Sequence, residues 1–202
     1  MKFTAPAAVA TAAALALSAC SVPEPEGNVP TDQGAASAED LLAEHGLDGL
    51  DPEEIVDRLD AMPVEERPTD LMASVQPGSL VLSDASGGPE GGQEAELDLP
   101  DDRFYLSMAP YVDHTHECFF HSLTTCLGEL RDEEIDVTIT DDADDSVLVE
   151  ETVQTFDNGF AGYWLPSGID ATVTVEHDEY SGSTQVSTGE DDPTCLTTLE
   201  LG

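Results

Sequence analysis

Cysteine and histidine are the residues best suited to chemistry in this 202-residue chain, and three of its five histidines crowd around two of its four cysteines. The stretch reads Tyr111-Val112-Asp113-His114-Thr115-His116-Glu117-Cys118-Phe119-Phe120-His121-Ser122-Leu123-Thr124-Thr125-Cys126. If residues 112–118 are extended, His114, His116 and Cys118 point to one side, because strand side chains repeat every second residue. Cys118 and Cys126 are eight positions apart, a separation that a hairpin or loop closes, and Cys195 must come in through the fold. Three thiolates with nearby imidazole suit a soft or borderline metal. Cu(I) is content with two or three sulfur ligands where structural zinc takes four, so an odd set of three leans towards Cu(I). His114, His116 and His121 are then secondary ligands, or a landing site for Cu(II), which prefers nitrogen. The competing use of these cysteines is a single disulfide with a spare thiol, the default outside the cytoplasm.

The fourth cysteine has a different setting. Lys2, the small apolar run Ala5–Ala16 and Leu17-Ser18-Ala19-Cys20 read as a secretory signal ending in a lipobox-like pattern, with cleavage before Cys20 and lipidation of its thiol. The expected organisation is a signal peptide over 1–19, lipidated Cys20 and a Pro/Glu/Gly/Ala-rich tether over 20–37, a helical subdomain with a Gly-rich loop over 38–96, and a β-rich metal-binding domain over 97–202. The expected location is the outer face of the cytoplasmic membrane. With 44 acidic against 5 basic residues the net charge is −39, which excludes nucleic acid as a partner. After cleavage only Arg58, Arg67, Arg103 and Arg131 remain as cations, so the lipid rather than surface charge must hold the chain at an anionic membrane. Acids are spread along the whole chain, which fits solubility better than one cation site.

The elements that must position these groups fall into two textures. Ala38–His45 reads as a helix stopped by Gly46. Asp51-Pro52-Glu53-Glu54 is a helix start, with a capping acid, proline in the first turn and acids on the positive end of the dipole, followed by Ile55, Val56, Leu59 and Met62 at helical spacing. Thr69–Val75, between Pro68 and Pro77, is predicted as a third short helix. Beyond it lie strand patterns: Ser79–Ser83, then Ile135, Val137 and Ile139 alternating with polar residues, then Val147–Thr155, Phe160–Leu165, Ala171–His177, Ser183–Thr188 and Cys195–Leu201. The fold class expected is α+β, a small N-terminal helical subdomain before a mainly antiparallel β-sandwich-like domain. The acidic turn Asp141–Asp145 lacks the glycine and distal glutamate of a calcium loop and reads as a solvated hairpin turn. His45 and His177 have no sequence partner and read as structural.

Specific runs add a resemblance. Phe104-Tyr105-Leu106-Ser107, Ala109-Pro110-Tyr111-Val112, Thr115-His116-x-Cys118, Phe120-His121-Ser122-Leu123-Thr124-Thr125-Cys126, Gly128-Glu129-Leu130, Asn158-Gly159-Phe160, Trp164-Leu165-Pro166 and Ser187–Thr198 around Cys195 together resemble the CueP family of extracytoplasmic copper-resistance proteins, over roughly residues 50–202. The resemblance implies a copper-binding protein holding Cu(I) through Cys118, Cys126 and Cys195, associated with copper tolerance and with copper supply to a superoxide dismutase. Thiol-driven reduction of Cu(II) fits that role and would consume two thiols as disulfide. A homodimer sharing ligands is compatible with the sequence. Of the alternatives, an enzyme with Cys118 as nucleophile and His121 or His116 as base leaves Cys126 and Cys195 unexplained. A disulfide-stabilised structural or adhesive surface β-sandwich leaves the crowding of histidine beside thiol unexplained.

Overall fold

The computed structural model describes residues 33–85 and 92–202, with side chains from residue 38 onward. The signal peptide, Cys20 and most of the tether lie outside the described residues, as does most of the Gly-rich loop. Two helices come first among the described residues, α1 (Gln33–Glu44) and α2 (Pro52–Asp60), followed by a 3-10 turn at Val64–Glu66. α1 begins inside the stretch expected to be tether. Gly46 follows it at φ +65°, the left-handed conformation that ends helices at little cost for glycine. α2 starts as its sequence dictates: Glu54 accepts a hydrogen bond from the Asp51 backbone N–H at 3.0 Å, and Pro52 occupies the first turn. No helix among the described residues is long and apolar enough to cross a membrane.

Among the described residues, eleven strands form three sheets. The first has the order β3 (Glu94–Asp98), β2 (Ser79–Asp84), β1 (Leu71–Gln76), β5 (His121–Ser122). The second runs β10 (Tyr180–Ser187), β9 (Asp170–His177), β6 (Glu134–Asp141), β7 (Val147–Gln154), and the third β11 (Cys195–Leu196), β4 (Arg103–Met108), β8 (Ala161–Pro166). All pairings are antiparallel except β11 with β4, so the α+β class is as expected. β3, β4 and β5 are not among the expected strands, the expected strand Cys195–Leu201 shortens to β11, and one predicted element changes type. The segment predicted as a third helix is strand β1, with Leu71, Ala73 and Val75 buried in alternation and Met72 exposed. The prolines at its ends exclude helix continuation but are equally at home beside a strand, and the period of two decides.

Two cores share one strand. The helices bury Leu41, Ile55, Val56 and Leu59 against Leu71, Ala73, Val75, Leu80 and Leu82 of the first sheet. Ile135, Val137, Ile139, Val173 and Val175 of the second sheet pack with Phe104, Leu106 and Met108 of β4. The alternate β4 residue Tyr105 belongs to the helical core instead. β4 therefore presents its two faces to two cores, as the strand period requires. A small third cluster, Ala109, Phe160 and Cys195 with Cys118 and Cys126 against it, carries the cysteines.

Candidate metal centre

Each ligand-bearing residue comes from a different segment. Cys118 ends the irregular stretch after β4. His121 is in β5, opposite Val75 of β1, and joins the first sheet. Cys126 closes a tight turn in which its N–H donates to the Ser122 carbonyl at 3.1 Å. Cys195 opens β11, opposite Ser107 of the third sheet. Thr194 ties these segments together: its hydroxyl accepts the His121 N–H at 3.0 Å and donates to the Val75 carbonyl at 2.6 Å. The Cys195 N–H reaches the Phe119 carbonyl at 3.1 Å, which locks β11 to the Cys118 segment.

The result is one group of four potential ligands among the described residues. One ligand atom each from Cys118, His121, Cys126 and Cys195 lies within 4.8 Å of all the others. Cys118 and Cys195 are joined as a disulfide with Cα atoms 5.7 Å apart, and Cys126 is the free thiol. The Cys126 sulfur is 3.5 Å from that of Cys118, and His121 Nδ1 is 3.7 Å from the Cys195 sulfur. Phe160, fully buried, lies against the imidazole with ring centroids 4.5 Å apart, so the cluster sits on an apolar floor.

The imidazole is oriented from behind by Asp60, the last residue of α2. His121 Nε2 is 2.9 Å from Asp60 Oδ1, and both side chains are fully buried. The same carboxylate accepts hydrogen bonds from Tyr105 (2.7 Å), Ser107 (2.9 Å) and the Asn158 amide (2.9 Å). Burial alone would push the Asp60 carboxyl up. The facing imidazolium and the hydrogen bonds from His121, Tyr105 and Ser107 outweigh it and hold the acid below its ordinary value. Burial likewise works against charge on His121, and Asp60 more than offsets it, so the imidazole is pushed up to about 9. Burial opposes ionisation of Cys126, but the His121 hydrogen bond and charge draw the thiol down. Because the ionised Asp60 is an acceptor only, it fixes the proton on Nε2 and leaves Nδ1 turned to the sulfurs. A carboxylate behind a histidine in this way is how proteins orient metal-binding imidazoles.

The Cys126 turn is held from its other side. Gly128 and Gly159 meet backbone to backbone: a Cβ on Gly128 would lie 2.5 Å from the Gly159 carbonyl oxygen, and Gly159 has φ +81°. The Gly128 N–H donates to the Asn158 carbonyl at 2.6 Å, and Asn158 in turn bonds both the carbonyl and the carboxylate of Asp60. Arg67 Nη1 donates to the Cys126 carbonyl at 2.8 Å.

His114 and His116 are not in this cluster. Residues 112–118 form no strand, so the expected single face of His114, His116 and Cys118 does not form. The segment is pinned instead by Glu129, whose carboxylate accepts the backbone N–H groups of Val112, Asp113 and His114. The His114 ring is 78% exposed, 3.6 Å from Glu129. His116 is half-buried beside Phe160, and its Nε2 is buried without a hydrogen-bond partner. Both line a cavity of about 470 Å³ that also reaches Cys126 and Glu129.

Sequence reasoning did not single out Asp60, Asn158 or Thr194. Asp60 had a signal: it lies four residues after Val56, on the apolar stripe of α2, where an acid needs buried partners.

Comparison with known proteins places the chain in a family. The family described as periplasmic copper-binding protein CueP matches residues 54–200. The chain belongs to the CueP family. It is thus a member of a copper-binding, extracytoplasmic family, and the expected copper resistance role goes with that membership. A solved structure, the crystal structure of S.CueP, superposes with a TM-score of 0.74 at 38% identity, covering 82% of this chain and 98% of that one. No curated protein matches the chain. The family match spans all four clustered residues together with Asp60, Asn158 and Thr194.

Proposed function

We propose that this protein sequesters copper as Cu(I) in the buried cluster, with Cys118, Cys126 and Cys195 as thiolate ligands and His121 Nδ1 as a fourth donor. The observation that carries the reading is the convergence of three sulfurs and one imidazole nitrogen within 4.8 Å, with the opposite nitrogen committed to Asp60. Sulfur-rich coordination on an apolar floor favours the soft monovalent ion over hard divalent ones. The Cys118–Cys195 disulfide gives the site a second state. Two thiolates give up two electrons as the S–S bond forms, and these reduce two Cu(II) to two Cu(I). Once the bond has formed, only Cys126 and His121 are left to hold metal, so affinity falls and copper is released. A dithiol reductant must then reopen the bond. His114 and His116, in the cavity that reaches Cys126, supply nitrogen donors for incoming Cu(II). Release to a copper-dependent superoxide dismutase, lipid anchoring through Cys20 at the outer face of the cytoplasmic membrane, and pairing of two copies complete the reading.

The disulfide also favours the plainer alternative of a structural surface protein, and one experiment separates the two. Reduced wild type and the variants Cys118→Ser, Cys126→Ser and Cys195→Ser are titrated with Cu(I) against a competing chelator. The copper reading expects tight binding by wild type and a large loss in every variant. Equal, weak binding by all four proteins leaves only the structural role.

A further inference from the structure

Arg67 is an anomaly of charge. It follows the 3-10 turn, is 9% exposed, and spends one nitrogen on the Cys126 carbonyl. Its Nε and Nη2 are buried and have no hydrogen-bond partner. The chain has 44 acids, yet among the described residues none forms an ion pair with this guanidinium. The acids whose charge acts on it, Asp60 and Asp157, already face other cations: Asp60 faces His121, and Asp157 pairs with Arg131 at 2.5 Å. A buried cation without an ion-pair partner of its own is costly, and guanidinium does not escape by losing its proton.

The charge missing in the disulfide state is present in the loaded state. With Cys118 and Cys195 oxidised, the site holds a neutral Asp60–His121 pair and one thiol. With three thiolates and a neutral His121 around one Cu(I), the copper–thiolate cluster carries two negative charges in excess and Asp60 a third, in a buried setting where such charge is weakly screened. We infer that Arg67 is a positioning residue that supplies the counter-charge for the copper–thiolate cluster and holds the Cys126 turn against it. Its stabilisation falls on the reduced, loaded state and not on the disulfide state. Arg67 thereby raises Cu(I) affinity and adds to the affinity difference between the two redox states. This rests on the copper reading above.

The test uses Arg67→Gln, which keeps a donor for the Cys126 carbonyl but removes the charge, and Arg67→Lys, which keeps the charge. Reduced proteins are titrated with Cu(I) against a competing chelator, and the oxidised, copper-free proteins are unfolded in urea. The expected result is Cu(I) binding about tenfold weaker in R67Q, a coupling typical of linked sites. R67K stays near wild type, and the oxidised R67Q form unfolds at a urea midpoint no lower than wild type, because it loses an unpaired buried charge. Equal affinity of R67Q and wild type overturns the inference, and so does R67K as weak as R67Q, which would mean that the fork geometry or packing matters and not the charge. Wild type that itself fails to bind Cu(I) tightly removes the copper reading first and this inference with it.

Discussion

Two histidine–carboxylate pairs flank the cysteines, and their surroundings differ at every level. His121 and Asp60 are fully buried at 2.9 Å, and the carboxylate accepts from Tyr105, Ser107 and Asn158 as well. His114 and Glu129 stand 3.6 Å apart, with the imidazole largely in solvent and the carboxylate spent on backbone N–H groups. The first pair is an orienting device: it fixes a tautomer and aims a nitrogen at three sulfurs. The second is a loop clasp with a histidine beside it. The same two residue types thus perform different tasks, and burial with a complete donor set separates them.

The largest expected effect comes from breaking the buried pair. Asp60→Ala leaves His121, Tyr105, Ser107 and Asn158 without their common acceptor, and is expected to cost about 3–5 kcal/mol in urea unfolding. Asp60→Asn keeps the shape but not the charge. It is expected to weaken Cu(I) binding by about 10- to 100-fold in chelator competition, as loss of a carboxylate behind a metal-binding histidine does. Glu129→Gln should leave Cu(I) affinity within about twofold, which gives the comparison its sharpest contrast. If the two substitutions weaken copper equally, the distinction between the pairs is wrong.

Next in size is the glycine contact behind Cys126. Gly159→Ala forces a side chain onto a backbone at φ +81° and into the Gly128 main chain, 2.7 Å away. A stability loss of about 1–3 kcal/mol is expected from the conformation, read by thermal unfolding, with the steric clash adding to it. Because the same contact seats the Cys126 turn, Cu(I) affinity should fall with stability. Gly168 provides the control: its φ is +76° but a Cβ there meets nothing within 4 Å, so alanine should cost less and leave copper unaffected.

The smallest effect concerns the clasp. Burial opposes the Glu129 charge, and the backbone N–H groups of His114, Asp113 and Val112 together outweigh it, holding this carboxyl below its ordinary value. A depressed folded-state value means stability that is present above the unfolded value, about 4.3, and lost as pH falls through the folded one. Acidification below about pH 4 should therefore destabilise wild type more than Glu129→Gln, measured as the difference in their urea midpoints at each pH. Identical pH profiles would show that the clasp contributes nothing to the fold.

The convergence of the cysteines was legible in the sequence because cysteine is scarce. With Cys20 read as a lipidation site three sulfurs remain, and the structure brings those three together. Choosing among the histidines was harder. His114 and His116 share the spacing of a strand with Cys118, but Glu129 gathers three successive backbone N–H groups and prevents that strand. His121 outranks them only through Asp60, one acid among 44, and composition gives it no prominence. The apolar stripe of α2 would have exposed it, since Asp60 continues the face of Val56. The helix predicted at Thr69–Val75 failed for a related reason. Its bounding prolines suit a helix or a strand alike, and the alternation of Leu71, Ala73 and Val75 fits the sheet that β5 completes. In β6 the strict alternation of Ile135, Val137 and Ile139 left no such ambiguity, and the strand formed as expected.

The central claim, that copper sits among Cys118, Cys126, Cys195 and His121, is tested most directly by X-ray absorption at the copper edge on reduced protein loaded with one equivalent of Cu(I). The account expects a monovalent edge and a shell of three sulfurs and one nitrogen, with the nitrogen lost in His121→Ala and retained in His114→Ala. A shell dominated by nitrogen and oxygen, or one unchanged when Cys126 is replaced by serine, would contradict it.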